Sequence, residues 1–357
     1  MPGADAPSIV VFTRGRPAFV HRLARYYADY PGQLVVVDGS PAAVDGLRMP
    51  AGGEYLHRPG MRVHERIAEG MARVTGAACT LAADDDYQVH SGLIECGRVI
   101  AADRGIVCAA GTVVYFAAGE RSPDRAIADG AVERILELPS DASPAARFRS
   151  FLSLGPQVLY ACFRTSQMRR MADALADLSD EDGLLGEQMW GAIPALYGRT
   201  QLVHRLQLCR RRAYRDYSDY LAAFKALPDV AEWARFGEYG DRFRALAAEA
   251  GADAAGAEAV IAAWRDYAAA TARGDRSWKE RSFAPSVRAR RVLRNAMSAV
   301  GVAASPRAWI DPNARAIARN AAARALLRSR AYPWSDPAAR AEFERVMEFD
   351  ARSGERA

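Results

Sequence analysis

The chain has 357 residues, of which 50% are hydrophobic and 25% are charged, a composition typical of a folded globular protein and unlike that of a disordered chain. Its formal net charge of +5 at pH 7 favours an anionic ligand, surface or membrane as a partner without choosing among them. The beginning, MPGADAPSIV, has neither the basic nor the apolar region of a secretion signal, and no later stretch reaches the length of a membrane span. We therefore expect a cytoplasmic protein.

Short apolar runs alternate with amphipathic stretches from residue 8 to about 116, which is the pattern of βαβ units in a mostly parallel sheet. SIVVF (8–12) and LVVVDG (34–39) are continuous apolar runs suited to strands buried on both faces. Between them, Pro17 is placed to start a helix. The stretch 66–86, RIAEGMARVTGAACTLAADDD, predicts a second helix and a third strand that ends at three aspartates.

The second half continues this pattern and then changes. It predicts a helix through Leu93 and Ile100, strands in 105–110, 112–118 and 157–165, helices in 166–178 and 184–198, and a half-exposed strand in 201–211. From about 213 the sequence is rich in Ala, Arg and Leu at helical spacing. We expect an α/β domain in 1–212 and a helical, Arg-rich extension in 213–357.

Asp84, Asp85 and Asp86, the acidic triad, follow the third predicted strand directly. Open α/β sheets bind ligands beyond the carboxyl ends of their strands, and Asp38 stands at the end of the second strand. Adjacent carboxylates repel one another, and a divalent cation would relieve this, since Mg²⁺ and Mn²⁺ prefer carboxylate oxygens and share their coordination shell with phosphates. The alternative is a solvated turn or a helix cap, where aspartate is also favoured.

Three segments in this order resemble the nucleotide-diphospho-sugar glycosyltransferases of the GT-A fold, particularly the bacterial family 2-like enzymes. VVFTRGRP (10–17) is similar to the family's first strand and its Thr-Arg-x-Arg-Pro loop, LVVVDGS (34–40) to the strand that ends in the nucleoside-binding aspartate, and LAADDDY (81–87) to the strand that ends in the DxD motif. The resemblance implies a GT-A-type, Rossmann-like sheet, a nucleoside-diphosphate sugar as donor with a UDP-sugar favoured, and Mn²⁺ or Mg²⁺. It places the donor and metal site in 8–120 and the acceptor side in 121–212.

The resemblance also implies roles for single residues on the donor side. Thr13 and Arg14 would line the nucleotide pocket, and Asp38 would accept a hydrogen bond from the base or the ribose. Arg62, His64 and Arg66 precede the second predicted helix, where related enzymes often place a basic side chain near the phosphates. A solvated basic face is the alternative for these three residues.

For the acidic triad, the resemblance implies that Asp84 faces the ribose or the sugar and takes part in metal binding. Asp86 would coordinate the metal that bridges the diphosphate, with Asp85 close by. A metal acting as a Lewis acid would stabilise the negative charge of the departing nucleoside diphosphate.

An inverting enzyme of this type needs a general base, usually a carboxylate at the start of a helix in the second half of the domain. Glu181 and Asp182 match the usual Glu-Asp pair in letters but precede a glycine. Glu187 lies at the corresponding place after the segment 159–171, and we favour it as the base. A helix-surface glutamate is the alternative.

Other chemistries find less support in the sequence. His57 and His64 complete no tetrahedral metal set, so we expect ordinary surface or loop histidines. No GxxxxGK[ST] or GxGxxG pattern follows the first strand, which argues against a P-loop NTPase and a dinucleotide dehydrogenase. A sugar nucleotidyltransferase shares the architecture and the metal carboxylates, but its usual loop is richer in glycine than TRGRP.

Ten arginines and one acidic residue lie between Phe283 and Arg330. A basic amphipathic helix there could dock on an anionic membrane surface, which would suit a lipid-linked or surface-glycan acceptor, or it could pack on the catalytic domain with its arginines in water. A nucleic-acid-binding protein would use these arginines for phosphate and leave the acidic triad unexplained. The sequence therefore predicts a metal-dependent glycosyltransferase that acts on an unidentified hydroxyl acceptor, with a sugar nucleotidyltransferase or a non-enzymatic anion-binding protein as alternatives.

Overall fold

A nine-stranded mixed sheet with helices on both faces forms the centre of the protein. The computed structural model describes residues 6–117, 127–129, 143–144, 147, 159–178, 186, 189–190, 194–212, 229–272 and 336–354. The boundary predicted near residue 213 lies outside these residues. None of the described helices is long and apolar enough to cross a bilayer.

The elements follow one another along the chain with these bounds. The strands are β1 (Ser8–Thr13), β2 (Leu34–Asp38), β3 (Glu54–His57), β4 (Ala78–Ala82), β5 (Tyr87–Gln88), β6 (Ile106–Ala117), β7 (Ile127–Asp129), β8 (Cys162–Arg164) and β9 (Arg199–Arg212). The helices are α1 (Pro17–Tyr26), α2 (Val63–Arg73), α3 (His90–Ala102), α4 (Thr165–Leu175), α5 (Pro194–Tyr197), α6 (Asp229–Glu249), α7 (Ala254–Ala272) and α8 (Pro337–Gly354).

The strand order in the sheet is β3-β2-β1-β4-β8-β6-β9-β5, and β7 pairs with β6. The first four strands of that order are parallel neighbours, β8 joins them antiparallel to β4, and β6 and β9 run parallel to each other. The predicted fold class is confirmed: a Rossmann-like α/β sheet flanked by helices, with helices in the C-terminal part. The carboxyl ends of β1, β2 and β4 consequently meet at one edge of the sheet.

Both faces of the central strands are buried, which explains why their sequences are continuous apolar runs. Successive strand residues point to opposite faces. Ile9 and Val11 of β1 pack in a cluster with α1 and α3, while Val10 packs in the cluster that contains α2, α4, α6 and α7. The helices of the C-terminal part therefore share a hydrophobic core with the sheet.

Helix α8 packs on the far end of the sheet. Phe343, Val346 and Met347 of α8 are buried in a third cluster with Tyr87 of β5 and Phe116 of β6. Helix α8 thus covers β6 and also β5, the strand that directly follows the acidic triad in the chain.

Two strand predictions need correction. The segments 105–110 and 112–118 were expected as separate strands, but Gly111 lies within the single strand β6. The β6 to β9 register is irregular on either side of Thr112, and a Cβ atom on Gly111 would lie 2.6 Å from the carbonyl oxygen of Arg205. This glycine therefore permits a close approach of two backbones at a bulge and makes no turn.

Candidate functional site

Three loops meet at the carboxyl edge of β1, β2 and β4. Thr13 at the end of β1 is aligned with Asp38 at the end of β2. The Thr13 hydroxyl donates to Asp84 Oδ2 over 2.6 Å, and the Gly15 N–H donates to Ser40 Oγ over 2.7 Å. The structure therefore brings together the segments 10–17, 34–40 and 81–87.

Asp38 is fully buried, and both of its carboxylate oxygens accept hydrogen bonds. Oδ1 accepts from the backbone N–H of Ser40 over 2.8 Å and from the Ser40 hydroxyl, and Oδ2 accepts from the Tyr55 hydroxyl over 2.7 Å. Burial, together with the hydrogen bond to Asp38, raises the pKa of Tyr55 to about 12. Asp38 therefore fixes the loop after β2, and its contact with a nucleoside stays a prediction.

Asp84 and Asp85 face the same cationic group. Arg16 Nη1 lies 2.8 Å from Asp84 Oδ1 and 3.5 Å from Asp85 Oδ2. The Asp84 side chain is 7% exposed and the Asp85 side chain 19%. Burial raises the pKa of Asp84 above its ordinary value, against the opposing effects of the Thr13 hydroxyl and the Arg16 guanidinium. Arg16 was not predicted as a site residue, although it belongs to the Thr-Arg-x-Arg-Pro segment.

Asp86 lies deeper than its two neighbours. Its residue is 2% exposed, its Oδ2 accepts from Arg210 Nε over 2.9 Å, and its Oδ1 accepts from the backbone N–H of Arg211 over 3.1 Å. Burial raises the pKa of Asp86 to about 6, and the positive charge of Arg210 opposes this shift without cancelling it. In this arrangement Asp86 joins the loop after β4 to strand β9, and its role as a metal ligand stays a prediction.

The acidic triad fits a divalent cation on its Asp84 and Asp85 side. Within the part of the chain that the structure describes, no three His, Cys, Asp or Glu side chains are arranged to hold a metal ion. Asp84 and Asp85 nevertheless direct one oxygen each at a single cationic nitrogen. Mg²⁺ is commonly held by one or two carboxylates together with phosphate oxygens of the substrate, and two carboxylates are what this loop presents.

The predicted arginines occupy three different environments. Arg14 is exposed. Arg62 precedes α2, where its backbone N–H donates to Glu65 Oε2 over 2.8 Å and its side chain contacts Glu65 and the carbonyl of Asp177. Arg66 is 7% exposed and donates to the carbonyl oxygen of Thr13. Arg66 is therefore not part of a solvated basic face, and its hydrogen bond supports the backbone at the end of β1.

His64 was expected at the surface, and this was wrong, because it is 2% exposed. Trp190 Nε1 donates to His64 Nδ1 over 2.9 Å, and His64 Nε2 lies 3.0 Å from the Tyr239 hydroxyl. The helical spacing of His64, Ile67 and Met71 places the histidine on the buried face of α2. That spacing could have identified His64 as a buried residue from the sequence.

Several predicted residues lie outside the described parts of the chain. They include Glu187, favoured as general base, its alternatives Glu181 and Asp182, and the Arg-rich stretch between Phe283 and Arg330. Gly186, next to Glu187, is described: a Cβ atom on it would lie 2.7 Å from His64 Cε1. Gly186 thus packs directly on α2.

The comparisons with known proteins give weak likenesses to solved structures. The sequence matches no protein-family profile and no curated protein. Among solved structures, S. aureus TarS 1-349 is similar with a TM-score of 0.39 and 12% identity over 75% of this chain and 92% of that chain. The same TarS fragment in complex with UDP-GlcNAc gives 0.36 and 13%, and in complex with UDP 0.39 and 11%, with the same coverage. Likenesses this weak carry no inference about the function of this chain.

Proposed function

We propose that this protein binds a nucleoside-diphosphate sugar at the carboxyl edge of β1, β2 and β4 and transfers the sugar to a hydroxyl group of an acceptor. The observation that carries this proposal is the junction of Thr13, Asp84, Asp85 and Arg16. Two carboxylates and one guanidinium, all from loops at a sheet's carboxyl edge, meet within 3.5 Å. This is where open α/β sheets bind their ligands.

The chain's own groups divide into a nucleoside side and a diphosphate side. Thr13 and Asp38 end β1 and β2, and the exposed Arg14 begins the loop after β1; we propose that this side contacts the base and ribose of a UDP-sugar. The Arg16 side chain is 42% exposed, and its guanidinium contacts Asp84 and Asp85 and lies 5.4 Å from the ring centre of Phe19. It can therefore turn toward a diphosphate and bind its oxygens with the paired donors of a guanidinium.

A divalent ion, Mn²⁺ or Mg²⁺, would be held by Asp84 and Asp85. When bound, such an ion supplies Lewis-acid stabilisation of the charge that develops on the departing nucleoside diphosphate. The ion would take the cationic position that the Arg16 guanidinium occupies in this structure. Asp86 would add a ligand only by giving up Arg210.

The acceptor side of the proposal concerns the second half of the α/β part. We propose Glu187 as the base that removes the proton from the acceptor hydroxyl, and the packing of its neighbour Gly186 against His64 supports this assignment. The acceptor itself is a hydroxyl compound, lipid-linked or part of a surface glycan. The Arg-rich segment would hold the enzyme at an anionic membrane surface.

Calorimetric binding of nucleotides tests this proposal. UDP, GDP, CDP, dTDP and UTP would each be titrated with and without Mn²⁺ into wild type, Asp85→Asn and the control Glu95→Gln. Asp85 is the most exposed carboxylate of the triad, so its substitution is expected to leave the fold intact. Glu95 is an exposed helix carboxylate on α3.

We expect one nucleoside diphosphate to bind in a Mn²⁺-dependent manner, with an affinity about tenfold or more lower in Asp85→Asn and unchanged in Glu95→Gln. A preference for UTP over every diphosphate would favour a sugar nucleotidyltransferase. A folded wild-type protein that binds none of these nucleotides would contradict the proposal.

A further inference from the structure

The C-terminal helix α8 places one buried carboxylate, that of Asp350, against the strands behind the acidic triad. Asp350 is 2% exposed. Its Oδ1 accepts from the Tyr87 hydroxyl over 2.6 Å and lies 3.3 Å from Arg22 Nη1 and 3.0 Å from Arg211 Nε. One carboxylate of α8 thus meets a residue of β5, one of α1 and one of β9.

Both arginines that contact Asp350 also contact the acidic triad. Arg22 Nη2 donates to the backbone carbonyl of Asp84 over 3.3 Å, and the backbone N–H of Arg211 donates to Asp86 Oδ1 over 3.1 Å. Tyr87, the third partner, follows Asp86 directly in the chain. Each residue that contacts Asp350 is therefore either hydrogen-bonded to the triad, as Arg22 and Arg211 are, or adjacent to it in the chain, as Tyr87 is.

The side chains of Arg22 and Arg211 are largely shielded from solvent. Their side chains are 7% and 16% exposed, and both guanidinium groups lie over the ring of Phe19. Arg22 Nε is buried without a hydrogen-bond partner. Removing the partner of a buried charge is strongly destabilising because the remaining charge is left uncompensated, so the two arginines depend on Asp350.

We infer that Asp350 is a positioning residue for the acidic triad: its charge holds Arg22 and Arg211, which in turn hold the backbone of Asp84 and the carboxylate of Asp86. The competence of the triad then depends on helix α8 being docked. For its effect on nucleotide binding, this inference rests on the proposed function. The expected effect of Asp350 on the conformation of residues 82–90 does not depend on the proposed function.

Three variants separate the charge of Asp350 from its volume. Asp350→Asn keeps the shape and removes the charge, whereas Asp350→Glu keeps the charge and adds one methylene. Glu348→Gln is the control, because Glu348 lies on the same helix with a side chain that is 69% exposed. Hydrogen exchange of peptides covering residues 82–90 and 337–354 is measured on the full chain, together with nucleotide affinity in the presence of Mn²⁺.

We expect exchange in residues 82–90 to be about tenfold or more faster in Asp350→Asn than in wild type, and closer to wild type in Asp350→Glu and Glu348→Gln. Residues 337–354 should stay protected in Asp350→Asn. If Asp350 served only to pack the helix, Asp350→Asn would be the milder variant, and exchange would rise in 337–354 first. Either of these results, or unchanged exchange in 82–90, would overturn the inference.

Nucleotide binding distinguishes this inference from the proposed function. If wild type binds a nucleoside diphosphate, Asp350→Asn should weaken that binding about tenfold or more while Glu348→Gln leaves it unchanged; equal affinity in Asp350→Asn would overturn the inference and leave the function standing. If wild type binds no nucleotide, the proposed function fails, and the exchange rates in 82–90 still decide whether Asp350 positions the loop.

Discussion

The hydroxyl of Thr13 joins the end of β1 to the acidic triad through a hydrogen bond between two buried residues. It donates to Asp84 Oδ2 over 2.6 Å, and Thr13 is 2% exposed. Thr13→Val keeps the shape and removes the donor, which leaves a buried carboxylate oxygen with one partner fewer. We expect a loss of about 1–3 kcal/mol in the free energy of unfolding, measured by urea denaturation.

Thr75→Val is the matched control for this substitution, because Thr75 is exposed. Its effect should stay within about 0.5 kcal/mol, as is usual for surface substitutions. Equal losses in the two variants would mean that the Thr13 hydroxyl has no special part in joining the loops.

Asp86 gives the protein a pH dependence with a definite sign. Burial raises its pKa to about 6 from an ordinary value of 3.8, so the folded protein binds this proton more tightly than the unfolded chain. The stability contributed by protonated Asp86 is complete below pH 3.8 and is lost as the pH rises through about 6. Relative to Asp86→Asn, wild type should therefore lose about 1–3 kcal/mol of unfolding free energy between about pH 4 and 7.

Urea denaturation of both proteins at a series of pH values measures this difference, with Glu95→Gln as a control for an exposed carboxylate. A difference between wild type and Asp86→Asn that does not vary with pH would show that Asp86 is charged throughout the folded range. In that case Arg210 would outweigh burial.

At the residue scale, the sequence predicted the place of the site better than its contacts. Thr13 and Asp38 end β1 and β2, and Asp84 lies in the turn just after β4; these three residues come together because strand ends meet at one edge of the sheet, and strand ends can be inferred from apolar runs. Arg210 could not be linked to Asp86 in the same way, because it lies 124 residues further along the chain and belongs to a strand whose pairing depends on the whole sheet. A contact of this kind follows from tertiary packing and leaves no local pattern.

At the scale of elements, α3 and β9 pack tightly against each other at Gly92. A Cβ atom on Gly92 would meet the backbone carbonyl of Leu206 at well under van der Waals distance, and backbone cannot move aside as a flexible side chain can. Gly92→Ala is therefore expected to destabilise the protein by about 1–3 kcal/mol, seen as a lower melting temperature.

Gly237→Ala is the control, since Gly237 is also within a helix and its added Cβ atom would have no heavy atom within 4 Å. There the better helix propensity of alanine should stabilise by up to about 1 kcal/mol. A melting temperature that rises in both variants would contradict the close packing of α3 on β9.

Strands were predicted where continuous or alternating apolar residues marked them, as in β1, β2, β4 and β9, and were missed where the burial pattern left no such mark. β2 and β4 are buried along their whole length, and β1 is buried at every residue except the partly buried Phe12, so their sequences are mostly apolar. In β3 only Leu56 is buried, and nothing in the sequence of that strand distinguished it from a loop. The prediction of two strands on either side of Gly111 was wrong for another reason. Glycine occurs in both turns and bulges, and only the pairing with the neighbouring strand decides between them.

At the scale of the whole molecule, α8 is part of the sheet's core. Phe343 is fully buried and lies 6.0 Å from Phe116, ring centre to ring centre. Phe343→Ala should cost about 3–5 kcal/mol of unfolding free energy, whereas Phe343→Leu should cost less because it leaves a smaller cavity. Circular dichroism along a urea gradient measures both losses.

The same packing predicts one cooperative transition. In wild type, loss of circular dichroism and loss of hydrogen-exchange protection in residues 337–354 should share one midpoint in urea. Release of 337–354 at a clearly lower urea concentration would show that α8 is an independent unit. The helical nature of this segment was predictable from its composition, but its docking was not, because Asp350 finds its partners 139 to 328 residues earlier in the chain.

The most direct test of the account is the position of a bound nucleotide and its metal. A crystal of the full chain would be grown with Mn²⁺ and the nucleoside diphosphate that calorimetry identifies, and an anomalous difference map would be recorded at the manganese edge. The account predicts a manganese peak within coordination distance of Asp84 and Asp85, with the diphosphate beside Arg16 and the nucleoside beside Thr13 and Asp38. A nucleotide bound away from the carboxyl edge of β1, β2 and β4, or a manganese peak remote from the acidic triad, would contradict it.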